Sequence, residues 1–117
     1  MEYTTFNPDY LVNVTGGDMA VMEEIAGIFV SQIPEFLSEM KHLFGEGKYY
    51  ELGLLAHKAK GSVTVMGMED TSRMLKDFEL LAKAGEQKER YEGFITKFEE
   101  DTTRVIEEMT DYLNKNR

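Results

Sequence analysis

From about Asp18 to Phe44 the apolar residues return at every seventh position. Met22, Phe29, Phe36 and Leu43 form one row, and Ala26, Ile33 and Met40 form the other. Two such rows are the seam by which a helix packs into a bundle. Pro34 falls inside this stretch, but the seam continues across it, so the pattern predicts one kinked helix rather than two. A second stripe runs between about Lys48 and Met66 through Leu52, Leu55, Ala56, Ala59, Val63 and Met66. Within it Val63-Thr64-Val65 is a local strand former. The stripe passes through that run and a lone strand has no partner, so a helix is predicted there too. From about Met68 to Ala84 the inward positions are Thr71, Met74, Leu75, Phe78, Leu81 and Ala82. From about Lys88 to Asn114 two rows appear again, Tyr91, Phe98, Val105 and Tyr112 beside Ile95, Thr102 and Met109.

Glycines punctuate these stretches at Gly45-Glu46-Gly47, Gly67 and Gly85. Ahead of them, Asn7 as N-cap and Pro8 at the first helical position open a short helix to about Val14. Gly16-Gly17 ends it, and Asp18 is placed to cap the next. Short connections make sequential helices antiparallel neighbours. The expectation is an all-α fold: an antiparallel, up-down-up-down four-helix bundle with a short extra N-terminal helix. It forms a single domain over residues 1–117, without repeats or internal linkers. The methionine and aromatic stripes read as core packing, with eight methionines filling an irregular interior.

Composition narrows the classes. The 117 residues carry 13 Lys and Arg against 22 Asp and Glu, a net charge of −9. A chain so acidic, with no basic stripe, is not a nucleic-acid binder and does not favour an anionic membrane surface. No cysteine is present, which removes disulfide and thiolate chemistry. No apolar run approaches the ~20 residues of a membrane span, and Met1-Glu2-Tyr3-Thr4-Thr5 has no signal-peptide character. The expected setting is cytoplasmic, and the expected state a monomer.

Few residues are left to carry chemistry. Glu39-x-x-His42 matches half of a di-iron bundle motif, but the second pair is missing because Leu54 precedes His57 at that spacing. No metal site is expected. Gly61 to Gly67 has the wrong spacing for a phosphate loop. No serine stands in a nucleophile elbow, and no histidine–carboxylate pair suggests triad chemistry. His42, flanked by Lys41 and Leu43-Phe44, reads as solvated surface near a helix end.

His57 differs. It lies roughly 140° from the centre of its helix's apolar stripe. Gly53, Lys60, Gly61 and Thr64 stand at i−4, i+3, i+4 and i+7 from it, so all border it on the helix surface. Leu54 points roughly 200° from the stripe and should be partly exposed. A neutral imidazole is a good nucleophile near neutral pH. A phosphoryl group gained by it would carry about two negative charges, of the kind Lys60 could offset. Gly61 leaves the imidazole's approach open.

At these residues the chain resembles the histidine-containing phosphotransfer (HPt) domains of multistep phosphorelays. The motif reads Ala56-His57-Lys58-Ala59-Lys60-Gly61-Ser62, followed by Gly67. Downstream, Met74-Leu75 and Phe78-Glu79 match the family's pattern; upstream, Tyr10-Leu11, Gly16-Gly17-Asp18, Phe29, Pro34 and Leu37 are similar to its first two helices. Val63 and Thr71 depart from the family's usual residues, at positions that bear on packing. The resemblance implies that His57 is the phosphoacceptor, that Lys60 steadies the phosphate, that Gly61 gives access, and that Gly67 lets the third and fourth helices pack closely. It implies a phosphate carrier without kinase activity or cofactor of its own, Mg²⁺ being held by its partner. The partners implied are response-regulator receiver domains, a hybrid sensor histidine kinase, or both. They would dock on the face formed by Gly53, Leu54, Lys60, Gly61 and Thr64. Two other readings stay open: a pseudo-HPt, and a helical adaptor bundle that binds partners without transferring phosphate.

Overall fold

A computed structural model describes residues 2–117. Five α-helices make up the fold: α1 (Pro8–Thr15), α2 (Met19–Gly45), α3 (Tyr49–Val65), α4 (Glu69–Ala84) and α5 (Tyr91–Lys115). A single 3₁₀ turn, Lys88–Arg90, leads into α5. Among the described residues there is no strand, and no helix is long and apolar enough to cross a membrane. The boundaries follow the caps read from sequence. Asn7 Oδ1 accepts the Asp9 N–H at 3.1 Å, and Asp18 Oδ1 accepts those of Ala20 and Val21 at 2.9 and 3.3 Å. Pro34 sits on the exposed side of α2, which runs through it unbroken.

The four long helices close a ring in which α2 and α4 each pack against both α3 and α5. Contacts fix the direction of each neighbour. Thr64 near the end of α3 meets Ser72 near the start of α4, and Gly53 early in α3 meets Lys83 late in α4. Thr71 bonds Asp101 whereas Phe78 stacks on Phe94, which makes α4 and α5 antiparallel. Glu23 pairs with Arg117 and Phe36 packs edge-on against Phe98, so α2 and α5 are antiparallel as well. The bundle expected from the seams is the one observed.

Its core is largely the predicted one, with Met74, Leu81 and Tyr112 of the expected inner rows only half-buried. Every residue of the α3 stripe is buried, as are both inner rows of α2 apart from half-buried Leu43. Thr71 and Thr102, polar members of the inner rows, are buried with their hydroxyls bonded to Asp101 and to the Phe98 carbonyl. The β-branched Val63-Thr64-Val65 run is helical, since Val63 is fully buried and tertiary packing overrides its local preference.

One glycine has a different duty from the one the resemblance implied. Gly67 follows α3 with φ +69°, a left-handed conformation that glycine adopts without strain. A Cβ there would lie 2.5 Å from Asn7 Cβ and 2.8 Å from the Tyr10 ring. Gly67 therefore seats the start of α1, with the Asn7 N–H donating to the Met66 carbonyl at 3.1 Å. The close approach of α3 and α4 belongs to another glycine, described below.

Candidate functional site

His57 lies midway along α3 with its side chain 61% exposed. Its Nδ1 is 3.0 Å from Glu79 Oε1 on α4, a carboxylate only 4% exposed. Lys83, one turn further along α4, donates to the other oxygen, Oε2, at 2.7 Å, and Lys76 Nζ stands 3.9 Å from Oε1. Burial by itself pushes the Glu79 carboxyl upward. Hydrogen bonds from Lys83 and His57, then the charges of His57 and Lys76, outweigh it and hold the pKa down to about 2. An ionised carboxylate can only accept hydrogen bonds. Nδ1 must therefore carry the proton of the His57–Glu79 bond, which in the neutral ring leaves the lone pair on Nε2.

The surroundings of the imidazole are unequal on its two sides. Toward α4 the seam is polar: Thr64 Oγ1 donates to the Lys60 carbonyl at 2.8 Å and lies 3.3 Å from Ser72 Oγ. Lys60 itself is half-buried. Toward α2 the surface is apolar. Leu54 and Tyr50 are exposed on α3, and Gly61 is exposed with nothing within 4 Å of where a Cβ would stand. Beside Gly61 a groove of about 380 Å³ opens between α2 and α3, lined by Ile28, Lys58 and Val65 with Val14 from α1. Ser62, the last residue of the motif, bonds Gln32 of α2 at 3.1 Å and so ties α3 to its neighbour.

Gly53 does not belong to the open face on which its helical angle places it. It is buried against α4, where a Cβ would come within 2.7 Å of Lys83 Cγ, 2.9 Å of the Glu79 carbonyl oxygen and 3.0 Å of the Lys83 nitrogen. The missing side chain lets the α4 backbone come close enough for Glu79 to reach His57. Leu54, Gly61 and Thr64 do lie exposed on the face around His57. Tyr50, Ile28 and Val14 were not among the expected face residues: Tyr50 stands on α3 itself, four residues before Leu54, whereas for Ile28 and Val14 no single helix shows that α1 and α2 flank that side. Glu79 was matched only as part of the family's downstream pattern and was given no role at the site. Glu79 stands four residues after Leu75 and three before Ala82, both inward positions, and an acid at such spacing is the signal of a buried acceptor.

The model of the Hpt domain family matches residues 24–116. The chain belongs to the Hpt domain family. Comparison with curated proteins and with solved structures gave no match. The role in general is that of an Hpt domain, histidine phosphotransfer within a phosphorelay. The matched stretch begins inside α2 and takes in α3, α4 and the histidine face, whereas α1 and the segment before it lie outside.

Proposed function

We infer that His57 is the phosphoacceptor of this Hpt domain, and that it takes a phosphoryl group from an aspartyl phosphate on a receiver domain and passes it to an aspartate on another. The observation that carries this reading is the pairing of an outward imidazole with a buried, ionised Glu79. With Nδ1–H committed to the carboxylate, the Nε2 lone pair attacks phosphorus as the acyl-phosphate O–P bond breaks in line. The receiver's carboxylate leaves with the electron pair. Positive charge grows on the imidazole, and Glu79 is already in place to offset it without reorganisation. Lys60 offsets charge on the phosphoryl oxygens, and Gly61 leaves room for the incoming domain. The acidic pocket and its Mg²⁺ come with the receiver, so the carrier needs no cofactor of its own.

The docking face on this reading is Leu54, Gly61 and Thr64 around His57, extended by Tyr50 and by the groove edge at Ile28 and Val14. A hybrid sensor kinase and a response regulator would meet it in turn, the carrier acting as a cytoplasmic monomer. The reading is tested by incubation with phosphorylated receiver domains. Wild type should gain phosphate that is lost in acid and kept in base, as an N–P bond requires. His57→Gln should fold with stability changed by roughly 0.5 kcal/mol or less, as for exposed positions, and gain none. His42→Gln, at an exposed position in the last turn of α2, should behave as wild type. A folded His57→Gln protein that still takes up phosphate overturns the assignment. Receiver binding without uptake by wild type points to the adaptor role.

A further inference from the structure

Two lysines converge on a single carboxylate beside His57, and a third stands on the same seam. The antiparallel register across α3 and α4 sets His57 against Glu79, Thr64 against Ser72 and Gly53 against Lys83. The same register brings Lys60 level with Lys76. Lys76 Nζ is 3.9 Å from Glu79 Oε1, the oxygen that accepts the His57 Nδ1 hydrogen bond at 3.0 Å. At that length it is an ion pair without a hydrogen bond. Lys83 is held differently: its 2.7 Å bond to Oε2 commits it, and its side chain is 31% exposed against 48% for Lys76. Lys60 has no ion pair among the described residues. The seam thus holds three ammonium groups for one carboxylate, a local positive excess on a chain of net charge −9. Two of the three, Lys60 and Lys76, are loosely engaged or without an ion pair among the described residues, and the register sets their positions level across the seam.

We propose that Lys76 is a second phosphate ligand, closing with Lys60 on the phosphoryl group carried by His57. The proposal rests on the reading of His57 as the phosphoacceptor. Phosphorylation places a dianion within reach of a flexible, half-exposed side chain whose present partner already has two closer donors. The ammonium leaves Glu79 for the phosphoryl oxygens, where charge-assisted bonds are stronger than a 3.9 Å pairing. Lys76 supplies charge and hydrogen bonds only; no proton is transferred to the phosphate.

Phosphoramidate separates this proposal from the reading beneath it, since no receiver is involved. Nε2 of His57 forms its bond to phosphorus while the donor's N–P bond breaks, and ammonia leaves with the electron pair. Wild type, Lys76→Gln and Lys76→Arg are labelled in this way, and the phosphoryl group is titrated by phosphorus NMR. A nearby cation favours the doubly charged form and lowers the midpoint. Lys76→Gln should therefore titrate about half a unit higher than wild type, and Lys76→Arg should return to the wild-type midpoint. A purely structural lysine would leave the midpoint unmoved. If Lys76→Gln titrates as wild type does, Lys76 is not a ligand and the assignment of His57 stands. If His57→Gln takes up the label as wild type does, or wild type takes up none, the assignment of His57 falls and this proposal falls with it.

Discussion

Glu79 stands where the inward face of a helix ordinarily carries an apolar side chain, and it stays ionised there because His57, Lys83 and Lys76 surround it. Removing its charge tests both its electrostatic role and its contribution to stability. Glu79→Gln keeps an oxygen able to accept from Nδ1 but loses the charge that offsets a growing imidazolium. Phosphoryl uptake should slow on the order of tenfold, equivalent to about 1.4 kcal/mol of barrier, as rapid-quench measurement would show. An unchanged rate would leave Glu79 a purely structural acceptor. The pH dependence has a definite sign. A carboxyl lowered from 4.5 to about 2 stabilises the fold fully above its ordinary range. That stabilisation is lost as pH falls through 4.5 toward 2. The stability difference between wild type and Glu79→Gln should therefore shrink by on the order of 2–3 kcal/mol across that window, measured by denaturant unfolding at each pH. The outward placement of His57, with a cation and a glycine one turn on, was legible in the sequence. Its anchor was not, because the acid that orients it is 22 residues away and only the bundle brings the two together.

At the scale of elements, α3 carries two glycines that one helical wheel cannot tell apart. Gly53 and Gly61 stand four residues either side of His57, and both read as a bare face. The wheel gives each residue's direction but not where the neighbouring helices lie. Gly53 turns out to face α4 and Gly61 to face open space, so their substitutions should differ in sign. Gly61→Ala meets nothing within 4 Å and gains helix propensity, raising stability by about 1 kcal/mol. Gly53→Ala would press a methyl group against the α4 backbone at 2.9 and 3.0 Å, so α4 must move. That overpacking costs about 1–3 kcal/mol, which should cancel or exceed the propensity gain. Moving α4 should also lengthen the His57–Glu79 bond. Thermal unfolding of the two variants and the His57 ring resonances check this; equal stabilisation by both would mean that α4 yields freely. The helices themselves were legible because each apolar row is set by its own segment. Even the β-branched end of α3 followed its stripe into the core.

On the scale of the whole molecule, a strap before α1 is held to the far end of the chain by a second buried acid. Glu108 on α5 is 4% exposed and accepts the N–H groups of Thr5 and Phe6 at 2.9 and 3.0 Å and the Thr4 hydroxyl at 3.3 Å. Phe6 fills the space beneath, edge-on to Tyr3 and Tyr112 at 5.9 and 5.7 Å, and the Tyr3 hydroxyl donates to Asp111. Glu108 carries the same mark as Glu79, an acid at seam spacing three residues after Val105 and four before Tyr112. In both cases an acid on an apolar row finds donors from a distant part of the chain. For Glu79 those donors include the imidazole, whereas for Glu108 they are two backbone N–H groups and a hydroxyl, so their loss should be felt differently. Glu108→Ala leaves the Thr5 and Phe6 N–H groups without an acceptor, at about 1–3 kcal/mol for a buried donor. The expected result is lower stability by on the order of 2 kcal/mol and rapid hydrogen exchange at Thr5 and Phe6, with α3 and α4 amides still protected. Among the described residues the strap shares no partner with His57 or Glu79, and distant independent sites act additively. Phosphoryl uptake should consequently stay within about twofold of wild type. A fall in uptake that tracks the loss of strap protection would show instead that α1, which brings Val14 to the groove beside Gly61, must be strapped down for the histidine face to work.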